Sequence, residues 1–228
     1  MCALAHVIEK AGIATVTLAS TLSVAERMEP PRAMWGNFPL GRPLGHPQNP
    51  EFQHDVLRRA FALLEEPSGP ILIHHPEVIE SDETPLSCSI PPAYDANASA
   101  AGQEIRGLRK AYERSVEARH GATEVGRSIG PDEIESAVEV LQTIADGTPW
   151  KDAGIPGGNT ISLIHDIRSY YEEAATQLVD GPPPAGRAGE ARFYEKTETG
   201  KVVMAARTAI KDADGPFPVW FYMAPGHR

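Results

Sequence analysis

Cysteine, histidine and arginine side chains are where a chain of 228 residues with only two cysteines and eight histidines would keep reactive chemistry. Cys2 stands where the pattern predicts the start of a helix. Unpaired backbone N–H groups and the helix dipole favour a thiolate at such a place, which makes the sulfur a nucleophile. The same position also suits a small residue in a frayed terminus. Cys88, between Ser87 and Ser89, could resolve an adduct on Cys2 by closing a disulfide, or be a buried structural thiol.

The segment "FPLGRPLGHP", Phe38 to Pro47, is the strongest candidate for a site loop. Gly36, Gly41 and Gly45 allow close backbone approach or positive φ, and Pro39, Pro43 and Pro47 stiffen it. Arg42 could grip a carboxylate with two parallel hydrogen bonds, and His46 could move protons near neutral pH. Trp35, Gly41, Arg42 and Gly45 are therefore expected to bind substrate; the alternative has Trp35 and Phe38 anchoring the loop on the core or on a neighbouring subunit.

"HHPEVIESDE" adds His74, His75 and Glu77. Neighbours on an extended chain point to opposite faces, so both histidines could share a metal only through a bend at Pro76. With His46 or Cys88 added, a zinc or iron site is conceivable, but the spacing is no metal signature. The expectation is one histidine facing a crevice and the other facing solvent. Cys2, His46, His74 and His75 are the expected catalytic residues, with no metal or cofactor assigned. "GIPGGNTIS" resembles an anion cradle at a helix start yet lacks a P-loop lysine, and His165 with Asp166 reads as helix surface or core.

These residues need elements to hold them. Apolar spacing predicts a helix over 2–11 ended by Gly12, then a buried strand over 13–20 rich in β-branched residues. Pro30 to Pro50 reads as one long stiff loop, too rich in proline and glycine for a helix or a central strand. Asn49-Pro50-Glu51 opens a helix running to about Glu65, and Ile71–Ile73 gives another strand. That rhythm predicts a doubly wound, mostly parallel α/β sheet over residues 1–92, apparently lacking a strand before its first helix. Either another chain completes the layer or the fold begins with the helix. Residues 93–228 are expected to hold helices at 99–119, 130–145 and from Asn159, a linker at "DGPPPAGRAGE", and three antiparallel strands at 191–196, 201–210 and 217–224.

Bulk properties exclude some partners. The net charge of −10 argues against nucleic acid and against an anionic membrane surface, and the basic residues Arg106, Arg109, Lys110 and Arg114 are interleaved with acids as on a solvated helix face. No apolar run approaches the ~20 residues that span a bilayer, and the start carries no basic leader, so a cytoplasmic protein with reduced thiols is expected.

The stretches "ALAHVIEKAGIATVTLAS", "SVAERMEPPRA" and "FPLGRPLGHPQNPEFQ", with the helix ending "ALLE", resemble the selenoprotein B family of glycine, sarcosine, betaine and D-proline reductases. The likeness covers about Cys2 to Glu65, and "PLGHP" is its most specific part. It implies reductive cleavage of a C–N or similar bond by a selenol or thiol, without a metal. The family's reactive residue lies in a Cys-rich loop at the start of the helix that Cys2 begins; here only Cys2 remains. The expected activity is therefore a thiol-dependent, reductase-like cleavage of a small amino-acid-like, carboxylated substrate. Expected partners are that substrate, an electron-donor protein or partner subunit, and a second copy of the chain. A metal-dependent hydrolase or lyase built on the histidines, and a non-catalytic subunit, are the alternatives.

Overall fold

The computed structural model describes residues 1–80, 95, 97–179 and 186–226. It is a mixed α/β protein in two compact units: Met1–Glu83 with Ala185–Arg187, and Thr84–Pro184 with Ala188–Arg228.

The first unit runs α1 (Cys2–Lys10), β1 (Thr17–Ala19), α2 (Leu22–Met28), β2 (Arg32–Asn37), α3 (Pro50–Ala62), a 3-10 turn (Leu63–Glu65) and β3 (Ile71–Val78). The strands form one parallel sheet in the order β1-β2-β3, with Leu18 beside Met34 and Met34 beside Ile73. One sheet face, with Leu18, Met34, Ile71 and Ile73, is covered by Phe52, Val56, Ala60 and Leu63 of α3 and its 3-10 turn. Each such side chain taken from water contributes about 1.5–3 kcal/mol. The apolar stripe of α3 was legible, and so was its start: Asn49 Oδ1 accepts the Phe52 N–H at 3.0 Å, with Pro50 at the first helical position.

Two expectations need correction here. Pro30–Pro50 is not one loop, because Arg32–Asn37 is the central strand. Its prolines sit outside the ladder, at 30, 31 and 39, where they cost no hydrogen bond of the strand. Nor is the sheet doubly wound among the described residues. Three strands in chain order contain no reversal, so the switch-point crevice that such a reversal opens is missing.

The second unit is helical: α4 (Ala100–Ala118), α5 (Ile134–Ala145), α6 (Thr160–Ala175), α7 (Gly186–Lys196), α8 (Glu198–Asp212) and α9 (Phe217–Phe221). Leu108, Leu141, Ile144, Leu163, Ile167, Tyr170 and Phe193 are among its fully buried side chains. Asn159 caps α6 as its sequence predicts, and Ser99 caps α4, accepting from Gly102 N at 3.0 Å. The antiparallel meander is overturned, because all three of its segments are helical. In α8 Val203, Ala206 and Ile210, spaced three and four apart, are buried apolar residues; "ETG" is the first turn of that helix, and Thr197 caps it by accepting from Gly200 N. Part of the predicted linker is α7, and residues 180–185 lie outside the described ones.

Asp166 is the polar centre of this unit. Fully buried in α6, its carboxylate accepts the N–H groups of Gly126, Arg127, Ser128 and Ile129 at 2.7–3.1 Å. Burial pushes this carboxyl up, but the four backbone donors outweigh it and hold the group below its ordinary value. A depressed folded pKa means the stabilisation is present above the unfolded-state pKa of about 3.9 and lost as pH falls through the lower folded value. Asp166→Asn is expected to cost about 3 kcal/mol, because one amide oxygen cannot serve four donors. Urea unfolding followed by circular dichroism checks this, and the wild-type advantage over the variant should shrink as the pH drops below about 4.

Candidate functional site

The residues between β2 and α3 fold back over the carboxyl end of the sheet. A Cβ on Gly36 would stand 2.3 Å from the Phe38 ring, so glycine is what lets that ring lie against the strand. Gly45, at φ +76°, lies against the Phe52 ring in the same way, with 2.2 Å to an added Cβ. The loop thus puts Phe38 and Leu44 onto the α3 cluster and leaves His46 at the surface, edge-on to Phe52 at 4.9 Å.

Arg42 lines a cavity of about 10 Å³ with Ser20, Met34, Gly36 and Phe38. That holds one water at most, so the place where a strand-end crevice was expected is closed by the loop itself. The open cleft lies at the start of α3 instead, with a volume of about 840 Å³. His46 comes from the loop, Glu77 from β3, and Glu51, His54, Asp55 and Arg58 from one face of α3. Spacings of three and four residues set those four side chains side by side, opposite the apolar stripe.

Behind Asp55 stands His75, its side chain fully buried between the rings of Phe38 (5.2 Å) and Phe52 (5.3 Å). A register shift places His75, Pro76 and Glu77 of β3 against Gly36 alone, and in that bulge the Glu77 N–H donates to His75 Nδ1 at 3.2 Å. Nδ1 must therefore be the acceptor and Nε2 the protonated nitrogen. Nε2 lies 3.5 Å from Asp55 Oδ2, too far for a good hydrogen bond, and has no other partner. Asp55 Oδ2 also accepts from Arg59 Nε at 2.6 Å. That bond, more than the contact with His75, holds the Asp55 carboxyl below its ordinary range and ionised at neutral pH.

The expected site residues are thus partly assembled. His46 and His75 meet the same Phe52 ring from different sides of the cleft wall. His74 is on the opposite sheet face, edge-on to Trp35 at 5.0 Å, so neither it nor Trp35 borders the cleft. The opposed faces were expected, but the inward histidine, His75, is buried and lines no crevice; the alternation also means that His74 and His75 cannot share an ion. Among the described residues, no three histidine, cysteine, aspartate or glutamate side chains are placed to hold a metal. Gly41 is exposed at φ +84°. Cys2 is buried in α1 and lines neither cavity; Cys88 lies outside the described residues. Glu51, His54, Asp55 and Arg58 went unread, although the polar stripe of α3 was as periodic as its apolar one.

No family model matches the chain, and no significant match is found among curated proteins or solved structures.

Two measurements check this geometry. Long-range 15N correlation spectra should show Nε2, not Nδ1, carrying the His75 proton; an Nδ1–H signal would contradict the bulge hydrogen bond. Iodoacetamide should alkylate Cys2 at least about tenfold more slowly in the native protein than in urea, since the folded helix must open first.

Proposed function

We propose that the first unit holds a small amino-acid-like, carboxylated molecule in the cleft at the start of α3 and transfers protons to and from it. The observation that carries this is the lining of one cleft by a guanidinium, two exposed imidazoles and a carboxylate held ionised from behind. Arg58 suits the carboxylate of a zwitterion, Asp55 and Glu51 suit its ammonium group, and the imidazoles of His46 and His54 are the groups that can give and take a proton. Arg58 takes the part that the sequence suggested for Arg42, because the cavity beside Arg42 has no room for a substrate.

The resemblance of residues 2–65 to the selenoprotein B reductases supports the same substrate class and adds reductive cleavage of a C–N bond in the cytoplasm. The two electrons for such a cleavage come from thiols that end as a disulfide. Cys2 is outside the cleft, so the two thiols are Cys88 together with one of an electron-donor protein, or two of that donor.

Imidazole resonances of the full-length protein, followed while glycine, sarcosine or proline is added, test the binding. His46 and His54 should shift with each zwitterion and respond less to acetate or methylamine alone. Arg58→Ala should weaken proline binding about tenfold, the loss of one charge-assisted contact of about 1.4 kcal/mol. No response of either imidazole at about 50 mM ligand, weaker than any millimolar site, would refute the assignment. With a dithiol as electron donor, Cys2→Ala should leave any turnover unchanged.

A further inference from the structure

We infer that the helical unit carries a second binding site, for a small carboxylate with a flat apolar body, in the pocket between α6 and the segment that follows α9. It is independent of the site at α3. The pocket encloses about 420 Å³, the size of ordinary small-molecule sites. Its polar lining is Arg127, His165, Arg168 and Tyr194, and among the described residues no aspartate or glutamate lines it. Glu124, Glu172 and Glu190 pair with the two arginines from outside the lining, so the charged side chains that face the pocket are cationic.

Ile161, Ile164, His165 and Arg168 lie on one stripe of α6 at spacings of three and four, so the apolar and cationic parts follow one another along the pocket. Phe221 and Tyr222 form part of the remaining wall. Ile161 and Tyr222 are exposed, which leaves an apolar rim open to solvent.

The surroundings keep the arginines cationic and in place. Asp166, next to His165, does not line the pocket, because its oxygens face four backbone N–H groups, that of Arg127 included. The same clamp fixes the Arg127 backbone beside the pocket, while its side chain makes only a 3.5 Å ion pair with exposed Glu124. Arg168 lies 3.0 Å from Glu172 and 3.8 Å from Glu190, neither of which lines the pocket. Those two acids hold the guanidinium at the pocket wall, and a guanidinium pairs with a carboxylate through parallel hydrogen bonds. Tyr194 does not compete as a donor, since its hydroxyl donates to the Met223 carbonyl at 2.8 Å.

Calorimetric titration of the full chain with 3-phenylpropionate tests the assignment, with 3-phenylpropionamide as the neutral counterpart and acetate as the anion without a body. Phenylpropionate should bind at least about tenfold more tightly than either. Arg127→Gln, a change at an exposed side chain that leaves the core intact, should weaken it several-fold. Arg168→Gln should weaken it at least about tenfold, provided circular dichroism shows the variant folded. Where Arg168→Gln does not fold, Arg127→Gln together with the amide comparison decides. Equal binding of acid and amide, binding unchanged in Arg127→Gln, or no heat at about 10 mM phenylpropionate each overturns the site. Glycine or proline displacing phenylpropionate would also overturn it, by merging it with the cleft at α3.

Discussion

A guanidinium buried at the first residue of the central strand governs the first unit. Arg32 has almost no exposure, and a lone charge there would cost several kcal/mol. It is answered from two sides: Glu9 of α1 at 2.7 Å, and the Glu66 carbonyl after the 3-10 turn, which accepts from Nε and Nη2. Glu9 Oε1 also accepts the Thr15 N–H and hydroxyl just before β1. One ion pair therefore fixes α1, the approach to β1, the start of β2 and the end of α3 at the amino edge of the sheet. The opposite, carboxyl edge is left to the glycine- and proline-bearing loop. Because α3 is pinned at its far end by Arg32, its polar face can present Glu51, His54, Asp55 and Arg58 in fixed order to the cleft.

The helical unit solves a related problem with carboxylates in place of a guanidinium. Asp166 takes up the N–H groups of one loop, Glu173 accepts the Thr123 hydroxyl and the Glu124 N–H with Arg119 beside it, and Glu104 caps α8 through the N–H groups of Glu198 and Thr199. Each replaces water at backbone donors that the packing would otherwise strand. A consequence for chemistry is that these acids are spent. They hold loops and helix ends, and none is free to act as a base.

How much of this was legible depends on whether the deciding force is local. The helices α1, α3, α4 and α6 announce themselves through apolar spacing and through caps such as Asn49 and Asn159, because those signals act within four residues. The strand at Arg32–Asn37 was hidden, since its charge is compatible with a sheet centre only through partners 23 and 34 residues away. At the C-terminus, Val202, Val203 and the aromatic run around Trp220 have strand propensity, yet α4 and α5 bury one face of α8 and tertiary packing overrides it. In the site, His46 was legible from a mobile charge on a constrained loop, and the opposed faces of His74 and His75 from strand alternation. Asp55 was not, because the cleft it lines is completed by His46 of the loop and Glu77 of β3, which only the tertiary fold brings beside α3.

The two pockets differ in the sign of what surrounds them, and that difference constrains what each can take. A protein of net charge −10 repels anions at long range, but the repulsion is screened over about 8 Å in physiological salt. Beyond that distance all anions are treated alike; within it, only the lining decides. The cleft at α3 mixes Arg58 with Glu51, Asp55 and Glu77, so a bare anion meets more repulsion than attraction there, while a dipolar molecule can turn its ammonium group to the acids and its carboxylate to Arg58. The pocket on α6 holds Arg127 and Arg168 without a lining acid, so a single negative charge suffices and an added ammonium group would be penalised. Selectivity between zwitterion and monoanion then needs no gate or moving part: it follows from which helix face spends its carboxylates on the backbone and which leaves them open to the solvent.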